Sequence, residues 1–106
     1  MFDTLVKTLD EQGGSVRAYD ACARAARARI VSEPENAAAL FLISYAAQRF
    51  VDAYDDQPLT AKAAAEEFEQ FRALVGKLEN GFAGANVEGR VGALNAVAAQ
   101  LGVPKG

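Results

Sequence analysis

Apolar residues recur in steps of three and four along five stretches of the chain, the rhythm of helices that bury one face. The first stretch runs from Asp3 to Gln12, with Phe2, Leu5 and Leu9 on one side and Val6 beside them. Gly13-Gly14 ends it, and Ser15 is placed to cap the next helix with its side-chain oxygen. In that second helix Val16, Tyr19, Ala23, Ala26 and Ile30 form a continuous stripe. A parallel row of small residues, Ala18, Ala21, Ala25 and Ala28, suits the close approach of a neighbouring helix.

Ser32-Glu33-Pro34-Glu35 reads as a capping box, with Ser32 as the cap and Glu35 three residues on. Proline is tolerated in a first turn because its missing N–H has no partner there. The second helix is therefore expected to stop near Val31 and the third to begin at once, which forces a helical hairpin. The third helix, reaching about Asp55, is apolar nearly all round. Leu40, Ala47, Val51 and Tyr54 fill one stripe, and Ala39, Ile43, Ala46 and Phe50 fill another. Two buried stripes place a helix in the middle of a bundle.

After a stop at Gln57-Pro58, Thr60 caps a fourth helix carrying Ala61, Ala64, Phe68, Phe71, Val75 and Leu78 on one face. Asn80-Gly81 reads as its stop. A fifth helix spans about Asn86 to Leu101, with Val87, Val91, Leu94, Ala98 and Leu101 expected inward. Gly89 and Gly92 weaken it by about 1 kcal/mol each relative to Ala. Gly102 and Pro104 close the chain. The expected fold is all-α, a compact antiparallel bundle of four to five helices forming a single helical domain over residues 1–106. Pro34, Leu40, Ile43 and Ser44, then Ala64, Phe68 and Phe71, resemble the tetratricopeptide repeat in spacing. The intervening turn is several residues too long, and one hairpin makes no array, so no family is read from this.

Composition strengthens the helical reading: roughly a fifth of the residues are Ala, the best helix former. Charge then narrows the function. The net charge of −3 disfavours nucleic acid as a partner, since a binder of phosphates carries a basic balance. The chain has no histidine, which removes the commonest general base and metal ligand. Cys22 is the only cysteine, so an intrachain disulfide is impossible and a reducing, cytoplasmic location is expected. The longest apolar run, Ala37 to Ala47, is interrupted by Ser44 and is far short of a membrane span, so no membrane partner is expected.

Gly84-Ala85-Asn86-Val87-Glu88-Gly89-Arg90 has the glycine spacing of a phosphate loop but lacks the following Lys and hydroxyl, so it reads as a turn. Cys22 reads as a small buried hydrophobe. Glu66, Glu67 and Glu69 read as exposed charge. Arg17, Arg24 and Arg27 form a loose basic stripe, with Asp20 placed to pair with Arg24. With the turn before it, the stripe offers an alternative function: a DNA-binding regulator whose helix-turn-helix is built around Gly13-Gly14.

Phe41 and Tyr45 fall on a third face of the third helix together with Gln48 and Asp52. Either the first helix covers these rings or they form a contact surface. Asp52, Asp55 and Asp56 crowd the negative end of the same helix. Three offsets are available: Asp55 and Asp56 beyond the helix end, Arg49 paired with Asp52, or Arg17 brought alongside. The expected function is a small helical protein-protein interaction or adaptor protein. It is non-enzymatic, without a cofactor or metal, and self-associating, with Phe41, Tyr45, Gln48 and Asp52 at the interface.

Overall fold

The computed structural model describes residues 1–84 and 86–103; Pro104, read from the sequence as closing the chain, lies outside them. Five α-helices follow one another: α1 (Asp3–Glu11), α2 (Val16–Ser32), α3 (Ala37–Tyr54), α4 (Ala61–Ala83) and α5 (Val87–Leu101). There is no strand among the described residues. The fold is an all-α bundle of two packed hairpins, α2–α3 and α4–α5, with α1 laid across α2 and α4. Its extents are 42 × 27 × 18 Å. The shortest is close to two helix diameters, so the molecule is a two-layer slab.

The helix ends follow local chemistry. Gly13 and Gly14 close α1 with positive φ angles of 80° and 63°. The Gly14 N–H donates to the Leu9 carbonyl at 3.2 Å and the Gly13 N–H to the Asp10 carbonyl at 3.1 Å, the bond pair of a Schellman end. Ser15 caps α2, its hydroxyl accepting from the Ala18 N–H at 3.1 Å. Thr60 caps α4 in the same way through the Ala63 N–H at 3.0 Å. Each bond satisfies a donor that the first turn leaves without an intrahelical partner.

Two helix ends differ from the sequence reading. Ser32 is the last residue of α2 and not the cap of α3; its hydroxyl donates back to the Arg29 carbonyl at 3.3 Å. Pro34–Asn36 form a 3₁₀ turn, and no side chain caps α3. Glu33 has taken over the corner. It accepts from Arg29 Nε at 2.6 Å, Arg29 Nη2 at 3.0 Å and the Asn36 amide at 3.1 Å. A bidentate guanidinium–carboxylate pair outcompetes a neutral hydroxyl cap. At the other end, α4 does not stop at Asn80-Gly81 but runs to Ala83. Gly81 is there for room: a Cβ on it would strike Ala93 Cβ and lie 2.9 Å from the Gly89 carbonyl oxygen.

The core sits between the two hairpins. Leu40, Ile43, Ala47 and Phe50 of α3 meet Tyr19, Cys22, Ala23 and Ala26 of α2, and Phe71, Leu74, Val75 and Leu78 of α4. Small residues on α2 bring α3 close, and the Tyr19 and Phe50 rings stack at 3.7 Å between centroids. The buried Ser44 hydroxyl donates to the Phe41 carbonyl at 2.7 Å, which leaves no penalty for a polar group in the apolar stretch. Of the small-residue row on α2, Ala18 is buried, Ala21 is half-buried, and Ala25 and Ala28 are exposed. Phe2 anchors the front of α1 to α4. Its N–H donates to Glu79 Oε1 at 3.0 Å, and its ring meets Phe82 edge-on at 5.7 Å.

Helix α5 turns differently from the expected face. Val97 is fully buried, with Ala93, Leu94 and Leu101 partly so. Val87, Val91 and Ala98 face solvent. The close crossing at Gly81 fixes Ala93 against α4 and rotates the valine row outward.

Candidate functional site

The outer face of α3 is the first candidate. Phe41 is 59% exposed and Tyr45 47%, one helical turn apart. Gln48 is half-buried and Asp52 exposed, and the Gln48 amide donates to Asp52 Oδ1 at 3.0 Å. The structure thus brings the four residues together as one strip with an aromatic end and a hydrogen-bonded polar end. The alternative of a covering first helix is not realised, because α1 packs on α2 and α4. Its anchors explain this: Phe2, Leu5 and Leu9 are buried, and Glu79 and Phe82 hold its start on α4.

The carboxylates at the end of α3 are settled by geometry. Asp55 is the extended C-cap residue and Asp56 adopts a left-handed φ of 57°, so both lie beyond the helix. The Arg49–Asp52 pair, one of the three available offsets, does not form. Arg49 instead reaches the end of α5, where Nη1 donates to the Leu101 carbonyl at 2.7 Å and Nη2 to the Val103 carbonyl at 2.9 Å. A guanidinium there satisfies the Leu101 carbonyl, which the last turn leaves unpaired, and meets the negative end of the α5 dipole. Among the described residues, no group of three or more acidic or cysteine side chains is arranged to hold a metal ion.

Beside Arg49 lies a half-open cleft of about 240 Å³ lined by residues of α2, α3, α4 and α5. Tyr19, Phe50 and Phe71 give it aromatic walls, and Arg49, Glu67, Gln70 and Gln100 give it polar ones. Tyr19 is 1% exposed, and its hydroxyl has no hydrogen-bond partner among the described residues. Burial first, then the nearby Glu67 charge, pushes the Tyr19 pKa up, so the hydroxyl stays neutral. Glu67 also accepts from the Tyr54 hydroxyl at 3.4 Å. From the sequence Tyr19 reads as core and Glu67 as surface charge. The available signal was Glu67 and Gln70 flanking the Phe71–Leu74 edge of the apolar stripe, one helical turn apart.

Cys22 is buried, and burial pushes its thiol up to about 11, so at neutral pH it is an inert thiol in the core. Asp20 and Arg24 form the expected pair at 2.7 Å. Arg17 and Arg27 are exposed, while Ala18 and Tyr19 in the first turns of α2 are buried against neighbouring helices. Glu66 and Glu69 are exposed, and Glu69 pairs with Arg72 at 2.6 Å. The glycine-spaced stretch from Gly84 to Arg90 includes Ala85, outside the described residues. Asn86 caps α5 through the Glu88 N–H at 2.8 Å, and the Arg90 guanidinium lies over the Phe82 ring at 5.3 Å. Among the described residues no helix is long and apolar enough to cross a membrane. No protein-family model matches the chain, and neither a curated protein nor a solved structure matches it.

Proposed function

We propose that this chain is a small helical interaction protein that associates with a second copy of itself through the outer face of α3. The observation that carries the reading is the pair of exposed rings, Phe41 and Tyr45, on a face that no other helix covers. Burying the exposed part of these rings removes apolar surface from water, the main favourable term in association.

The strip is self-complementary in an antiparallel pairing. A two-fold axis perpendicular to α3 lays α3 of one copy against α3 of the other in opposite directions. Phe41 and Tyr45 then meet near the centre. Asp52, at the negative end of its own helix, comes to the positive N-terminal end of the partner helix, where a carboxylate is favoured. An Ala-rich core of this size adds little apolar area per residue, and dimerisation offsets such a deficit. The role is one of binding rather than catalysis, without a cofactor. A lone buried thiol fits a reducing compartment, and the cytoplasm is the proposed location.

Light scattering at micromolar concentration is expected to give a mass near twice 11.2 kDa. The double change Phe41→Ser, Tyr45→Ser should give a monomer with an unchanged helical circular dichroism spectrum. A wild-type chain that stays monomeric removes the proposal. An anisotropy titration with duplex DNA at low salt tests the alternative, because low salt favours every phosphate contact. Tight binding lost in Arg17→Ala would put the helix-turn-helix around Gly13-Gly14 ahead.

A further inference from the structure

Helix α1 runs antiparallel along α2. The Gly13-Gly14 turn joins them at one end, and at the other Arg29 Nη2 donates to the Met1 carbonyl at 2.7 Å. Between the two helices runs an apolar groove of about 220 Å³. Leu5, Leu9 and Cys22 are its buried floor, Ala21 and Ala25 line it from α2, and Thr8 and Gln12 line it from α1. Both walls recur at four-residue steps, so the groove is a seam of the kind that takes the ridge of a third helix. Among the described residues no helix fills it: Ala25, Thr8 and Gln12 are exposed. The small-residue row of α2, suited to a close neighbour, thus ends on a wall without one.

Charge beside the groove decides what it takes. Helix α2 is the one helix with a net positive charge: Arg17, Arg24, Arg27 and Arg29 stand against Asp20 alone, in a chain whose net charge is −3. Arg17 lies one turn before Ala21 and therefore on the same side of α2. Lys7 is next to Thr8 on the opposite wall. Both cations are exposed, and neither has an ion-pair or hydrogen-bond partner among the described residues. Arg24, next to Ala25, holds Asp20 in an exposed pair, a contact weak enough for another carboxylate to displace. Glu11, one turn after Lys7, is the carboxylate on that shoulder.

We propose that this groove binds an amphipathic helix of another protein, which inserts leucine-sized side chains between α1 and α2 and carries carboxylates on the flanks of that ridge, toward Arg17, Arg24 and Lys7. Alanine walls leave room for large side chains, and a groove about 10 Å long from Leu5 to Gln12 takes two turns of a helix. Duplex DNA fits less well, because it offers no apolar ridge and sets phosphates against Glu11 and Asp20. The groove is separate from the Phe41–Tyr45 strip on α3, so a copy paired with another can still hold this partner.

The probe is a synthetic helical peptide with leucines recurring in steps of three and four and glutamates beside them. Its counterpart has lysines in place of the glutamates. Each is titrated into the full chain and followed by amide chemical shifts. The glutamate peptide is expected to saturate with a dissociation constant on the order of 0.1 mM, moving resonances of α1 and α2. The lysine peptide should bind at least about tenfold more weakly, and added salt should narrow the difference. Arg17→Glu should weaken the glutamate peptide about three- to tenfold. Ala25→Trp fills the groove from an exposed position and should abolish the shifts. Thr8→Trp does the same from α1 and serves where the first variant does not fold. Phe41→Ser with Tyr45→Ser should leave the peptide affinity unchanged, which keeps this test apart from that of self-association. Equal affinity for the two peptides, shifts that survive both tryptophan variants, or duplex DNA binding more tightly at the same resonances would each overturn the proposal. So would a dimer lost in Ala25→Trp, which would make a second copy the occupant.

Discussion

Two glycines of one helix separate what a residue does for the backbone from what it does for packing. Gly76 and Gly81 both lie inside α4, where Ala is favoured over Gly by about 1 kcal/mol. At Gly76 a Cβ would meet nothing within 4 Å. Gly76→Ala is therefore expected to stabilise the fold by about 0.5–1 kcal/mol. At Gly81 the same methyl collides with Ala93 Cβ and crowds the Gly89 carbonyl, so overpacking reverses the sign. Gly81→Ala should destabilise by about 1–3 kcal/mol. Adding Ala93→Gly should restore only part of that, because the Gly89 oxygen stays in place. Urea unfolding of the three variants measures all of this. Equal effects of Gly76→Ala and Gly81→Ala would show that α5 does not approach α4 at Gly81. From sequence alone both glycines look alike, and Asn80-Gly81 looks like a stop. Only the tertiary contact with α5 tells that this glycine is a point of close approach.

At the scale of elements, the legible features were those with a local cause. The stripes Phe2–Leu5–Leu9 and Tyr19–Ala23–Ala26, the Gly13-Gly14 end and the Ser15 and Thr60 caps all follow from neighbours within one turn. The turn from α2 to α3 shows the limit. Ser32 and Glu35 have the spacing of a capping box, yet Glu33 closes the corner because Arg29 and Asn36 both reach it. The four-residue α3 strip was legible because periodicity assigned two other faces to the core. The cleft was not, because its polar walls come from three helices whose rotation no local pattern fixes. The Glu33 corner has a pH signature. Its hydrogen bonds from Arg29, then from Asn36, hold the Glu33 carboxyl down to about 2 from its ordinary 4.5. The folded state therefore binds this proton less readily than the unfolded chain. Its contribution is fully present above about 4.5 and is lost as pH falls toward about 2. Urea midpoints of the wild type and Glu33→Gln are expected to converge across that window. A gap between them that stays constant down to the acid end would show that the pair contributes nothing to folding.

Taken as a whole molecule, the bundle is unevenly held, and α5 buries the fewest side chains of the five helices. The α2–α3 hairpin buries eleven side chains, from Ala18 to Phe50, whereas α5 buries only Val97 completely. What α5 lacks in apolar contact is made up at its ends. Asn86 caps the start, Arg90 lies over Phe82, Lys77 Nζ donates to Gln100 Oε1 at 3.0 Å, and Arg49 closes the last turn. Of these, Arg49 matters most, since it makes two charge-assisted bonds across the bundle and is itself half-buried. Opening of such a molecule proceeds by parts, the least buried element first. Native-state hydrogen exchange should find the α5 amides opening at lower free energy than those of α2 and α3. Arg49→Met keeps most of the apolar stem and removes the donors. It should lower stability by about 1–2 kcal/mol, the scale of hydrogen bonds from a charged, partly solvated group. Its effect on exchange should fall on the last turn of α5 first, while protection at the centre of α2 changes only with the global stability. If the variant instead speeds exchange uniformly, α5 is not a separate unit, and the bundle unfolds in a single step from a core that the two hairpins share.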